Sequence, residues 1–271
     1  MKRKFIQLTF FIFQNPFIHN FVAGRPYAGP LKTVCVPGLH CYSCPAMAFS
    51  CPLGTIQYVI KYASAIPYLA IGTLMSVAAV FGSASCAYFC PFGLIQESFY
   101  GISPWKKKIR IRKGVRHLKW GFLLIFVLLM PLLDLAQGFC AYICPSGMLT
   151  AGIPILSVNS EYFSSMDITF YWKLFFLIAV IFYVMYERRA FCRYICPLGL
   201  MLGLANRFSF YKIKIEKNRC KGCDVCVSFC PMGLEPRKEI NTLDCIKCGD
   251  CVDSCPTKFN ALSRGFNAKR N

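Results

Sequence analysis

Eight cysteines near the end of the chain form two copies of one run. Cys220, Cys223, Cys226 and Cys230 are followed by Pro231, and Cys245, Cys248, Cys251 and Cys255 by Pro256. This C-x2-C-x2-C-x3-C-P spacing suits thiolate ligation of cubane 4Fe-4S clusters. Three thiolates on one tight loop can face one cluster, whereas the fourth on that loop cannot, so it serves the cluster of the other run. The predicted sets are Cys220, Cys223, Cys226 and Cys255 for one cluster, and Cys245, Cys248, Cys251 and Cys230 for the other. Paired zinc sites also use C-x2-C, but zinc takes four ligands per ion and leaves a doubled four-cysteine run closed by proline unexplained.

Six further cysteines sit in a second repeat: CAYFCPFGLIQ from Cys86, CAYICPSGMLT from Cys140 and CRYICPLGLML from Cys192. A partial copy, CPLGTIQ, starts at Cys51, with Met47 where the first cysteine of the pair would stand. Residues four apart share a helix face, so Cys86 and Cys90, or Cys192 and Cys196, can present two thiolates together. The proline that follows opens the next helix, and the glycine after it lets backbone pass close to a bulky group. Two such pairs supply four ligands. The expectation is an inner cluster held by Cys86, Cys90, Cys192 and Cys196; the alternative is that these are small buried residues at helix ends. A second set, Cys44, Cys51, Cys140 and Cys144, is expected on the outer side. Cys35 and Cys41 are the alternatives there, through a site built only from Cys35, Cys41, Cys44 and Cys51, and disulfides are the competing chemistry. Three to four clusters are expected in all.

The elements that must carry these residues are apolar. The chain is 56% hydrophobic with a mean hydropathy of +0.46, which excludes an ordinary soluble enzyme and points to membrane lipid as solvent. Stretches at 5–22, 66–85, 118–137 and 168–186 approach the roughly 20 apolar residues needed to span a bilayer. The first is interrupted by Gln14, Asn15, Pro16 and His19, and a signal peptide with Lys2, Arg3 and Lys4 as its basic region is the alternative. Lys106, Lys107, Lys108, Arg110, Arg112, Lys113, Arg116 and Lys119 follow the second stretch, and Arg188 and Arg189 follow the fourth. Under the positive-inside rule both flanks are cytoplasmic, and with them both termini. The loop after the third stretch, 138–170, has no Lys or Arg and carries Glu161 and Asp167, so it is expected outside. The net charge of +19 is then mostly a topology signal, not a nucleic-acid patch, although a basic anchor is also compatible with docking an acidic electron donor.

Asp134 is a carboxylate near the outer end of the third stretch, and His19, His40 and His117 are scattered without ligand spacing. No phosphate loop, catalytic triad or dinucleotide fingerprint is present.

These residues resemble a known family, the membrane-bound polyferredoxins of the NapH and NosR type. The resemblance covers nearly the whole chain: the four apolar stretches, the C-x3-C-P motifs at Cys86/Cys90 and Cys192/Cys196, and the double module from Cys220 to Cys255. The loop PGLHCYSCP with the later CPLGTIQ is also similar to an anaerobe branch of 4Fe-4S binding proteins. The resemblance implies electron transfer between a cytoplasmic or quinol donor and a partner across the membrane, as in anaerobic respiration. The outer cysteines depart from the NapH pattern and put a purely quinol-facing role in doubt. The fold expected is an all-α bundle of about four transmembrane helices over 1–207, followed by a cytoplasmic α+β two-cluster bacterial ferredoxin-like domain over 208–271. The function expected is a transmembrane electron conduit serving an oxidoreductase system, with redox protein partners on both sides, a flavoprotein among those compatible. The rival readings are a quinone-reactive subunit and a thiol-redox transporter whose cysteine pairs cycle through disulfides.

Overall fold

The computed structural model describes residues 2–63, 68–105, 117–133, 135, 137–158, 167–256 and 261–266. The basic run 106–116 and Asp134 lie outside them. Helix α1, Lys2–Gln14, ends where Pro16 offers no N–H to extend the hydrogen-bond ladder, and a short α2, Asn20–Ala23, follows. The stretch 5–22 is thus not one spanning helix. At about 1.5 Å per residue α1 is roughly 20 Å long, and both of its glutamines face the protein: Gln7 donates to the Ala87 carbonyl at 2.7 Å and Gln14 to that of Phe89 at 3.0 Å.

The remaining helical part is built from recurring pairs. Helices α3 (Pro52–Tyr58), α6 (Pro91–Ile102), α9 (Pro145–Val158) and α12 (Pro197–Leu204) each start on the proline of a motif. Preceding them are α4 (Tyr68–Val80) with α5 (Ala84–Tyr88), α7 (Leu118–Leu132) with the turn α8 (Phe139–Ile143), and α10 (Ile168–Tyr186) with α11 (Ala190–Tyr194). Among the described residues only α10 is long and apolar enough to cross a membrane; α4, α7 and α9 are apolar and shorter. Helix α7 stops soon after Pro131, short of the expected residue 137, and the chain folds back so that α8 packs against the helix it has just left. Cys140 and Cys144 are therefore drawn inward and do not lie on a surface loop. The core joins Leu74, Val127, Phe139, Val180, Phe191 and Leu198 with Cys51, Cys86, Cys90, Cys144 and Cys196.

Beyond Arg207 the chain changes character. Strand β1 (Tyr211–Ile215) pairs antiparallel with β2 (Leu262–Phe266), with Ile213 opposite Arg264. Its alternating sequence YKIKI buries Ile213 against Cys251 and Leu262, as the two-residue period of a strand requires. Between the strands lie the two cysteine loops and the short helices α13 (Val225–Phe229), α14 (Pro236–Glu239) and α15 (Asp250–Asp253).

This segment is locked onto the helices. Asn206 donates to the carbonyls of Thr242 and Cys245, both at 2.8 Å, Ser83 donates to the Cys245 carbonyl, and Tyr88 donates to that of Cys248 at 3.0 Å. Lys119 pairs with Asp244 at 3.0 Å, both buried. Gly203 brings α12 so close to Leu243 that a Cβ there would lie 2.2 Å from the Leu243 carbonyl oxygen.

Candidate iron-sulfur sites

The two loops of the C-terminal segment adopt the same backbone. Two and four residues after the first cysteine of each run the chain is left-handed: Gly222 (φ 73°) and Asp224 (54°) in the first, Lys247 (46°) and Gly249 (82°) in the second. Asp224 and Lys247 take this conformation against the usual preference of non-glycine residues. In these loops backbone N–H groups point at sulfurs, that of Val227 at Cys226, of Lys247 at Cys245 and of Asp250 at Cys248, an arrangement that suits anionic iron-sulfur clusters. Cys220, Cys223, Cys226 and Cys255 line one cavity. Around Cys251 the charged neighbours include Cys245 and Cys230, and Cys230 is also a neighbour of Cys248. The structure thus gathers Cys220, Cys223, Cys226 and Cys255 at one cavity and places Cys230 within electrostatic reach of Cys248 and Cys251. Cys226 also neighbours Cys251, so the two groups adjoin.

A second geometry recurs four times. Cys51, Cys90, Cys144 and Cys196 are each extended (ψ 127°, 115°, 105° and 111°) at the N-terminus of the helix that their proline opens. A residue before proline is driven out of the helical region, so the thiol stands at the start of a helix. The N–H three residues on, from Gly54, Gly147 and Gly199, points at the sulfurs of Cys51, Cys144 and Cys196.

The motifs assemble in pairs. Cys86, Cys90, Cys192 and Cys196 gather at the junction of α5, α6, α11 and α12, each within electrostatic reach of the others. Gln96 donates to Cys192 at 3.0 Å and the Leu39 amide donates to Cys90 at 3.3 Å. The second group consists of Cys51, Cys140, Cys144 and Cys41, around a cavity of about 320 Å³ that Lys173, in the second turn of α10, also lines. Here the fourth member is Cys41, the alternative residue, and not Cys44. The turn closed by the Cys44 N–H on the Cys41 carbonyl separates the two, and the bonds from the Phe17 N–H to the Ala46 carbonyl and from the Ala48 N–H to the Gln14 carbonyl draw the Cys44 side toward α1. Cys44 faces Thr150 and lines a neighbouring apolar cavity. Cys35 stands apart from both groups, against Thr55, Ile56 and Ala70.

Burial pushes the thiols of Cys51 and Cys144 up to about 11 and about 12. Thiols so placed are costly to ionise without a positive partner, and iron is such a partner for thiolates. All eighteen cysteines are free of disulfides. Among the described residues no three side chains of His, Cys, Asp or Glu converge on a single metal ion. The donors are all sulfur, in fours, beside inward-turned amides, and this donor set fits a 4Fe-4S cluster better than a mononuclear ion.

The two groups in the helical part are joined by the 38–40 backbone. A Cβ on Gly38 would lie 3.2 Å from Pro91 and 3.3 Å from the Cys90 Cα, so a larger residue would press this segment off Cys90. While the Leu39 amide serves Cys90, the His40 amide points at Cys51. His40 itself escaped the sequence reading because it has no ligand spacing. Its ring is buried between the two cavities, with the Ser50 and Gly38 backbone beside it, and burial lowers its pKa to about 3.

The model of a 4Fe-4S binding domain matches residues 65–110, 117–157 and 168–218, once for each complete C-x3-C-P copy, and that of a 4Fe-4S dicluster domain matches 203–266. The chain is a 4Fe-4S polyferredoxin of the NapH/NosR type. A Methanocaldococcus jannaschii protein is 29% identical over 190 residues, covering 69% of this chain and 66% of its own. The ferredoxin-type protein NapH of Haemophilus influenzae is 26% identical over 207 residues, 70% of this chain and 65% of NapH. The regulatory protein NosR of Stutzerimonas stutzeri is 24% identical over 61% of this chain, which spans 22% of NosR. No solved structure gives a significant match. The polyferredoxin binds 4Fe-4S clusters and transfers electrons through them.

Proposed function

We propose that this polyferredoxin carries electrons across the cytoplasmic membrane between a cytoplasmic redox protein and a partner on the outer side, through four 4Fe-4S clusters in series. The ligand sets are Cys220/Cys223/Cys226/Cys255, Cys245/Cys248/Cys251/Cys230, Cys86/Cys90/Cys192/Cys196 and Cys41/Cys51/Cys140/Cys144. The observation that carries this reading is that consecutive sets lie within electrostatic or hydrogen-bonding reach of shared groups. Cys226 neighbours Cys251, the Arg189 guanidinium neighbours Cys248, Cys90 and Cys192, and the adjacent amides of Leu39 and His40 serve Cys90 and Cys51. Clusters so held supply one-electron carriers; the protein holds them, insulates them and fixes their spacing.

Several features support the membrane placement. Helix α10 is about 28 Å long at 1.5 Å per residue, with Lys173 beside the fourth set near one end and Arg189 beside the third just past the other. Large apolar side chains face outward on it, among them Trp172, Phe175, Ile178 and Phe182, and also on α1, α4 and α7. So broad an exposed apolar surface marks contact with lipid or protein. In this reading residues 1–207 form the membrane domain and 208–271 the cytoplasmic module, with both termini inside. Reporter fusions after Asn159 and after Asn271 test the topology: the outer-active reporter should work only at the first, and equal activity at both sites overturns it. Anaerobic iron and acid-labile sulfide analysis tests the cluster count. Four clusters are expected, and iron for only two would confine electron transfer to the module.

A second reading, reaction with a quinol, draws on one observation. The apolar cavity of about 240 Å³ beside Cys44 is lined by Phe11, Ile12, Ile18 and Leu149, and the polar ring of His40 reaches it. Reduction of the purified protein's clusters by a quinol would favour this reading over a protein donor.

A further inference from the structure

Between the third cysteine set and the module lies a side chain that the sequence reading used only as a topology marker. Arg189 is fully buried and left-handed, at φ 55°, which a non-glycine residue adopts only when its surroundings impose it. They impose it here: Nε donates to Glu97 at 2.7 Å and Nη1 to the Cys86 carbonyl at 2.9 Å. The other terminal nitrogen, Nη2, is buried without a hydrogen-bond partner. Nη2 lies beside Gly93, three residues beyond Cys90, and a Cβ on Gly93 would fall 3.1 Å from it. The sulfurs of Cys192, Cys90 and Cys248 lie within electrostatic reach of the guanidinium, so two cysteine sets share the field of this cation.

The charge is held in place from several elements. Glu97 is bound by Arg3 through two 2.9 Å bonds as well as by Arg189. Arg3 and Arg188 reach on to Asp250 of α15 at 3.2 and 2.9 Å. Helices α1, α6 and α15 and the link between α10 and α11 therefore meet at one ion network, and a buried unpaired donor is costly unless something accepts its hydrogen bond.

We infer that Arg189 is a positioning residue for electron transfer: its Nη2 donates to the sulfur of the cluster held by Cys86, Cys90, Cys192 and Cys196, and its charge raises that cluster's reduction potential. The inference rests on the reading that these four cysteines hold a cluster. No bond is made or broken: reduction adds one electron, and the fixed cation and the hydrogen bond both favour the more negative state. Glu97 opposes the effect, so removing Glu97 should act with the opposite sign.

The test uses the full-length protein, purified anaerobically in detergent, with iron and sulfide counted and midpoint potentials read by electron paramagnetic resonance during redox titration. The signal lost in both Cys86→Ser and Cys192→Ser is that of the third cluster. Arg189→Gln should keep its iron and shift the reduction equilibrium of that cluster at least tenfold toward the oxidised form, about 59 mV downward for a one-electron couple. Arg189→Lys should recover part of the shift, and the signal that depends on Cys220 should not move. An unchanged midpoint with iron retained overturns the inference, as does an equal shift of every cluster. Should Arg189→Gln fail to assemble, Glu97→Gln decides: an upward shift of the third cluster supports the role, and no shift or a downward one refutes it. If no single signal is lost in both cysteine variants, the cluster reading itself falls, and the inference with it.

Discussion

Replacing Gly203 by alanine should loosen the module from the helices, although alanine is the better helix former. In α12 a Cβ at this position would lie 2.2 Å from the Leu243 oxygen, 3.1 Å from its carbonyl carbon and 3.5 Å from its Cα. All three are backbone atoms, with no flexible side chain to swing aside, so the two segments must part by about 1 Å, at the roughly 1–3 kcal/mol typical of overpacking. Against this stands the helix-propensity gain of about 0.8–1.0 kcal/mol for alanine over glycine. The net effect is a loss of up to about 2 kcal/mol. Gly72→Ala is the control, because within α4 nothing lies within 4 Å of the new Cβ and only the propensity gain remains. Thermal unfolding of the purified protein should place Gly203→Ala below the unsubstituted chain and Gly72→Ala above it. Leu243 is two residues from Cys245, so magnetic broadening between the second and third clusters should also weaken in Gly203→Ala. If Gly203→Ala stabilises the protein as much as Gly72→Ala and leaves the broadening intact, the close approach of α12 to the Leu243 backbone does not hold the module in place.

Crossed ligation predicts that Cys255→Ser damages the cluster of Cys220, Cys223 and Cys226, and Cys230→Ser that of Cys245, Cys248 and Cys251; the reverse assignment in resonance spectra would defeat it. Of the neighbouring cysteines Cys41 and Cys44, only Cys41→Ser should cost one cluster's worth of iron and sulfide, and equal losses would mean that the fourth set is wrongly drawn. Lys119→Met removes an ion-pair partner of buried Asp244 and should cost more than about 1 kcal/mol, up to the roughly 3–5 kcal/mol of a broken buried pair. Loss of the exposed Arg219–Glu216 pair should cost less than about 1 kcal/mol. Denaturant melts of the two variants make the comparison, and similar values would show that the Lys119–Asp244 contact is not a buried pair in solution.

Spacing alone pointed to the cysteines of the module, because three ligands of each proposed cluster lie on one tight loop, the fourth comes from the other loop, and the loop repeats. The C-x3-C-P copies were legible for the same local reason: proline after cysteine forces an extended residue at a helix start, and all four copies obey. Partners distant in the chain were legible only as far as the repeat extended. It pairs Cys86/Cys90 with Cys192/Cys196, but it is broken where Met47 replaces a cysteine, and there tertiary structure decided. The turn at Cys41–Cys44 and the bonds between residues 46–48 and the end of α1 place Cys41 at the cavity of Cys51, Cys140 and Cys144 and Cys44 at its neighbour, which no local pattern encodes. Hydropathy likewise marked the apolar stretches but not all their ends: the break after Gln14 follows locally from Pro16, whereas the reversal after α7 depends on what that segment packs against. Arg188 and Arg189 read from sequence as a cytoplasmic flank. Burial beside Glu97, contributed by a helix some ninety residues earlier, places Arg189 between two cysteine sets, because a charge can be held inside a protein only where distant parts of the chain bring its partners to it.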